Sequence, residues 1–110
     1  PVAEKHYSVH KAKPFYNGLI EYLSSAPVMV MVWEAEGVIN TARKMIGKTF
    51  CYDAEPGTIR GDLGCSAGYN LVHGSDSPDS AEYEIPLFFS SEEIVSYNIA
   101  DEDWIWGKND

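Results

Sequence analysis

The stretch from Pro27 to Trp33, PVMVMVW, limits this chain's fold more than any other. It is apolar at every position, with no polar residue alternating in, so it reads as a β-strand covered on both faces. Such a strand needs neighbours on its edges and layers above and below it. Helical patterns stand on either side. Pro14 opens one in which Phe15, Leu19 and Leu23 recur at i, i+4 and i+8 with Ile20 alongside. Gly37–Ile46 carries Val38, Ala42, Met45 and Ile46 on one side and is closed by Gly47. Helix, strand, helix is the alternation of an α/β or α+β sandwich, and 110 residues suffice for one domain with a real core.

From Lys48 to Gly68 the periodicity is lost. The segment holds Gly57, Gly61, Gly64 and Gly68 with Thr49 and Thr58, and it is longer than a connector needs to be, which suits a functional loop. A short strand is expected at Asn70–Val72, followed by His73 and then a helix with Ser77 as N-cap, Pro78 at its first position and Asp79 in its first turn. Ala81, Ile85, Phe88 and Phe89 would face the core, and Pro86 would distort or shorten the helix. The tail DEDWIWGKND carries Trp104 and Trp106, which should pack on their own domain or on a neighbour.

Seventeen acidic against eight basic residues give a net charge of −9. That balance argues against nucleic-acid backbones and anionic membrane surfaces as partners, since both need clustered Lys and Arg. An anionic ligand must be held by a few local donors. Cys51 and Cys65 have no His or Cys at metal-ligand spacing, so they read as free thiols and no protein-held metal is expected. No apolar run is long enough to span a bilayer, and the expected compartment is the cytoplasm.

Residues 42–49, ARKMIGKT, approach the phosphate-loop pattern but fail on context: the stretch ends a helix where a phosphate loop should begin one. It reads instead as a helix C-terminus with cations near its negative end. His73, in NLVHGSDSPDS, is the stronger signal. A lone loop histidine is more often solvated than catalytic. Here, though, a strand end aims it at a rim, Ser75 and Ser77 follow it, and Glu82 or Glu84 could orient one ring nitrogen, which would leave a competent nucleophile. Arg43 and Arg60 are candidates to receive an anion, because a guanidinium matches phosphate oxygens bidentately; each alone reads more simply as a surface charge.

The blocks NLVHGSDS, PGTIRGD, HKAKPFYNGL and SAPVMVMVWE resemble the nucleoside diphosphate kinase family, from about His6 through Trp104. The resemblance implies an α+β fold, a ferredoxin-like α/β sandwich with an antiparallel sheet. It also implies a phosphotransferase working by ping-pong transfer from ATP to a nucleoside diphosphate through a phosphohistidine on His73. By position, the base would stack on Phe15 with Leu19 behind it. Arg43, Thr49 and Arg60 would hold phosphates, and Asn70 the ribose. Tyr7 and Glu84 would flank His73, Glu84 through the non-nucleophilic nitrogen, and Ser75 would bond near the phosphohistidine. Mg²⁺ would be held by substrate phosphates and water. A homo-oligomer is implied, a hexamer in preference to a tetramer.

Phe50-Cys51 stand where the family commonly has Asn-Pro, and Tyr69 stands where an arginine is common. The family's first strand, with its Lys-Pro-Asp-Gly block, and the helix and strand after it do not precede Pro1 here, a unit of roughly 30 or more residues. Residues 1–110 are therefore expected to be the C-terminal two-thirds of one domain, the N-terminal βαβ portion missing. Strands 28–33 and 70–72 would then lack a shared neighbour, with unpaired ladder groups. The alternative functional class is a non-catalytic assembly or regulatory subunit of the same fold.

Overall fold

The computed structural model describes residues 1–107. Where the sequence is helical in period, helices form. α1 (Val2–His6) is short and is tied down from outside: the Tyr83 hydroxyl donates to the Lys5 carbonyl at 2.9 Å and lies 3.2 Å from the Ser8 hydroxyl. α2 (Tyr16–Ser24) half-buries Leu19 and Ile20, as the spacing predicts. α3 (Val38–Ile46) is entered through Gly37 at φ 64° and ended by Gly47 at φ 90°, two backbone settings that glycine adopts without a Cβ penalty.

The long loop is more ordered than its lost period suggested. It contains a 3₁₀ turn (Cys51–Asp53) and α4 (Ile59–Leu63). Thr58 caps α4 by accepting the Gly61 N–H at 3.0 Å while its own hydroxyl donates to the Glu55 carbonyl at 2.6 Å. Cys51 is buried, Cys65 is exposed, and both are free thiols, as expected. α5 (Pro78–Phe88) begins as predicted, Ser77 accepting the Ser80 N–H at 3.1 Å with Pro78 at the first position. Pro86 does not stop it. The residue sits two positions before the helix end, so its missing N–H costs one bond and the turn still closes at Phe89, whose N–H reaches the Ile85 carbonyl at 3.0 Å.

The expected ferredoxin-like antiparallel sheet is not borne out: no strand forms among the described residues. Residues 27–34 carry no regular secondary structure and stand open, with Met29 85% exposed and Trp33 52% exposed. A helix closes its hydrogen bonds within itself, whereas a strand needs a second backbone at ladder distance, and these residues have none. The Asn70–Val72 segment is bent further from a strand. Leu71 lies at φ 72°, and the Val72 N–H folds back to the Asn70 carbonyl at 2.8 Å, a γ-turn. The two-tryptophan tail is expected to pack on its own domain or on a neighbour. α6 (Glu102–Ile105) forms, but Trp104 is 90% exposed, so the indole does not pack on its own chain; the tail's last residues, 108–110, lie outside the described residues.

Two charged or polar side chains, His6 and Arg60, are as buried as the apolar pair Ile46 and Cys51. Buried polar groups need partners, so these two point to where the structure is organised.

Candidate functional site

Arg60 explains how the turn before His73 is held. Its Nε donates to the Asn70 carbonyl at 3.1 Å, Nη1 to the Gly47 carbonyl at 3.2 Å and Nη2 to the Val72 carbonyl at 2.7 Å. One guanidinium thus joins the end of α3 to both sides of the strained Leu71. Burial, and secondarily the charge of Arg43, lowers its pKa from the ordinary arginine value. Three of the five guanidinium N–H groups point to carbonyls, leaving two. The sequence suggested that Arg60 meets an anion; here most of it grips backbone.

Arg43, on α3, donates from Nη1 to the Gly74 carbonyl at 2.8 Å and fixes the residue just after His73. The backbone passes close to the core here: a Cβ at Gly74 would lie 2.8 Å from Ile46 Cδ1 and would push that methyl aside. With the turn anchored on both sides, His73 projects half-exposed, its side chain 48% accessible.

α5 then supplies the orienting group. His73 Nε2 lies 2.9 Å from Glu84 Oε1, and the Ser75 hydroxyl donates to Glu84 Oε2. The residues alone left Glu82 and Glu84 open and the resemblance named Glu84, which is the one α5 presents. An ionised carboxylate accepts only, so the ring proton belongs on Nε2 and the lone pair on Nδ1. The capping end of α5 is braced as well: the Ser80 hydroxyl donates to Asp76 Oδ1 at 2.6 Å. That bond, ahead of smaller contributions from Ser77 and Arg43, holds the Asp76 carboxyl below its ordinary value.

A cleft of about 330 Å³ opens over this group, lined by His73, Glu84, Tyr7, His10 and Arg43 among others. Tyr7 has its phenol pushed up, first by burial and then by the Glu84 charge, so it stays protonated. Phe15 is 52% exposed, its ring 5.5 Å from His10 and capped by the Lys13 ammonium at 5.6 Å, which leaves an aromatic face open to stacking. Leu19 follows one helical turn later, half-buried. Asn70 Nδ2 reaches the Thr49 carbonyl at 3.4 Å, bringing those two residues together at the far side of the turn.

His6 was not anticipated from the sequence. It is buried beneath His73 with ring centroids 4.5 Å apart, edge to face, and it also touches Tyr7 at 4.6 Å and Phe88 at 5.8 Å. Burial, reinforced by His73 and opposed by Glu84, lowers its pKa and keeps the ring neutral. Its sequence signal was slight: a histidine on a one-turn helix has no apolar period to mark it as core.

A family profile described as nucleoside diphosphate kinase matches residues 1–94. The nucleoside diphosphate kinase of Oceanobacillus iheyensis is 56% identical over 105 residues, which are 96% of this chain and 71% of that protein. A counterpart from Prochlorococcus marinus is 54% identical over 103 residues, 94% of this chain and 68% of the relative. Among solved structures, a halophilic nucleoside diphosphate kinase from Halobacterium salinarum in complex with CDP superposes with TM-score 0.89 at 42% identity, covering 96% of this chain and 71% of that one. A family protein from Babesia bovis gives TM-score 0.89 at 37% identity, over the same shares of the two chains. The backbone path is thus kept even where no ladder forms. With His73 oriented by Glu84 and Ser75 within the matched region, this chain belongs to the nucleoside diphosphate kinase family.

Proposed function

We propose that the chain carries out ping-pong transfer of the γ-phosphate of a nucleoside triphosphate such as ATP to a nucleoside diphosphate, through a phosphohistidine on Nδ1 of His73. The observation that carries this reading is the 2.9 Å contact between His73 Nε2 and Glu84 Oε1, which leaves the lone pair on Nδ1 of a ring that lines the cleft. The Nδ1 lone pair forms the P–N bond as the bond from the γ-phosphorus to the bridging oxygen breaks, and the nucleoside diphosphate leaves with that electron pair. Cation character growing on the ring is stabilised by the Glu84 carboxylate, itself held by Ser75. The second half-reaction reverses these steps with another nucleoside diphosphate. Phosphoryl transfer of this kind rests on alignment and charge more than on covalent chemistry by the protein.

Arg43 and the two uncommitted N–H groups of Arg60 would bind phosphate oxygens, with Thr49 beside them. Phe15 and Leu19 would take the base, which explains tolerance of different bases, since stacking barely reads the base edge. Asn70 would meet the ribose, and Tyr7 would donate its retained proton within the cleft. The cleft's donors are guanidinium and hydroxyl groups suited to oxyanions, so Mg²⁺ would come as a companion of the nucleotide and would supply neutralisation of its phosphate charge. A cytoplasmic homo-oligomer, hexameric in preference to tetrameric, with residues 1–110 forming part of a single kinase domain, completes the reading.

His73→Ala tests it. Incubated with γ-labelled ATP, the wild-type chain should take up acid-labile, base-stable phosphate and the variant none; labelling that persists on the variant sinks the assignment.

A further inference from the structure

Three donor atoms meet beneath the cleft in a way that phosphoryl transfer does not require. His6 Nδ1 is a buried nitrogen with no hydrogen-bond partner, on a side chain only 4% exposed. It is directed at Glu84 Oε1, 3.9 Å away, beyond hydrogen-bonding range. Glu84 Oε1 is in turn 2.9 Å from His73 Nε2, and one donor atom from each of the three residues lies within 4.8 Å of the other two. A buried nitrogen left unpaired costs free energy unless something fills the gap.

We propose that His6 Nδ1, His73 Nε2 and Glu84 Oε1 form a binding site for a borderline divalent transition-metal ion, specifically Zn²⁺, and that its occupancy switches the nucleophile off. Two imidazoles and one carboxylate, with a fourth position open to water, are a zinc donor set. Tetrahedral Zn²⁺ with bonds of about 2.0–2.2 Å places its donors about 3.4 Å apart, so closing the site takes movements on the order of 1 Å. Ser75, donating to Glu84 Oε2, supplies the outer contact that holds a ligating carboxylate in place. Magnesium does not compete well here, because it prefers an octahedral shell of oxygens.

The inhibition follows from the tautomer. A neutral imidazole has one N–H and one lone pair. With Glu84 as acceptor the proton is on Nε2 and Nδ1 can attack. Coordination at Nε2 requires the lone pair there, which moves the proton to Nδ1 and removes the nucleophilic pair. Metal binding and phosphate acceptance by the neutral ring therefore exclude each other. The ion's binding stands apart from the proposed kinase reading; its effect on turnover rests on that reading.

The test titrates Zn²⁺ alone into the 110-residue chain by calorimetry, free of magnesium and chelators. One ion per chain should bind, His6→Gln and Glu84→Gln, which remove direct ligands, should each weaken it by at least the roughly tenfold to hundredfold that losing an outer-shell partner costs, and Cys65→Ser and His10→Gln should leave the affinity unchanged. Undiminished binding by His6→Gln, or loss on Cys65→Ser or His10→Gln, overturns the site. Imidazole ¹⁵N spectra of the wild-type chain decide the matter even should His6→Gln not fold: the His6 and His73 rings must respond together, and a response from either alone, or from His10, overturns it. Phosphohistidine formation should then fall in proportion to zinc occupancy, and a rate unmoved at full occupancy removes the switch. Failure of the zinc-free chain to label at all counts against the kinase reading, while zinc binding measured by calorimetry still upholds or overturns the site.

Discussion

The turn at Asn70–Ser77 and the segment at 27–34 are both non-helical, yet one is locked and the other lies open. Around the turn, side chains from distant elements take up the backbone groups on either side of the strained residue. Arg60 takes the carbonyls of Asn70 and Val72, Arg43 takes that of Gly74, and Ser77 caps the helix that follows. Residues 27–34 are far more apolar, but Val28, Met29 and Met31 are each more than half exposed. Apolar character by itself orders nothing; an irregular backbone is held only where donors and acceptors are supplied to it.

The contrast should break most severely with Arg60→Ala. The Asn70 carbonyl keeps the Val72 N–H, but those of Gly47 and Val72 lose a buried charged donor, and at about 1–3 kcal/mol for each unsatisfied group the loss should reach about 2–6 kcal/mol. Urea unfolding measures it, and a loss below about 1 kcal/mol would show that the turn holds without its guanidinium. Next, Glu84→Gln should leave the turn folded while slowing phosphohistidine formation. Loss of a hydrogen bond to a charged group, about 1.5–3 kcal/mol, corresponds to roughly tenfold to hundredfold. An unchanged rate would mean that the 2.9 Å contact with His73 does not orient the nucleophile.

In the open segment the change should be small. Met29→Lys, at a side chain 85% exposed, should alter stability by no more than about 0.5 kcal/mol. A clear drop in melting temperature would show that this residue is covered in solution and would erase the contrast. The last effect concerns pH. The Asp76 carboxyl is held below its ordinary value mainly by the Ser80 hydroxyl, so its folded form binds a proton less readily than its unfolded form. Its contribution is present above pH 3.8 and is lost as the pH falls through the lower folded value. Asp76→Asn should flatten that part of an acid titration followed by helical circular dichroism; an identical profile would remove Asp76 from the brace.

How far residues could be read in advance depended on whether their partners were local. Ser77, Pro78 and the run into α5 follow from capping chemistry within four residues, and Gly37 and Gly47 bound α3 by the same logic. The link between His73 and Glu84 was half legible from the residues, whose spacing offered Glu82 or Glu84; the family resemblance named Glu84, and the helix phase puts that carboxylate at the ring. The sheet was misjudged because a strand's partner is remote, and PVMVMVW carries no information about whether a second backbone lies beside it. His6 and the carbonyl-gripping role of Arg60 were out of reach, since neither burial nor an acceptor thirteen residues away leaves a local pattern.

Residue chemistry at short range was therefore enough to mark His73 in NLVHGSDS as a candidate and to bound α3 and α5, while the resemblance of four sequence blocks pointed to the family. Three features emerged only in the folded chain: Arg60 as a brace for backbone more than for ligand, His6 beneath the site, and the apolar run without a ladder. Each of those depends on which groups from distant parts of the chain come within about 3–4 Å, where hydrogen bonds and desolvation act.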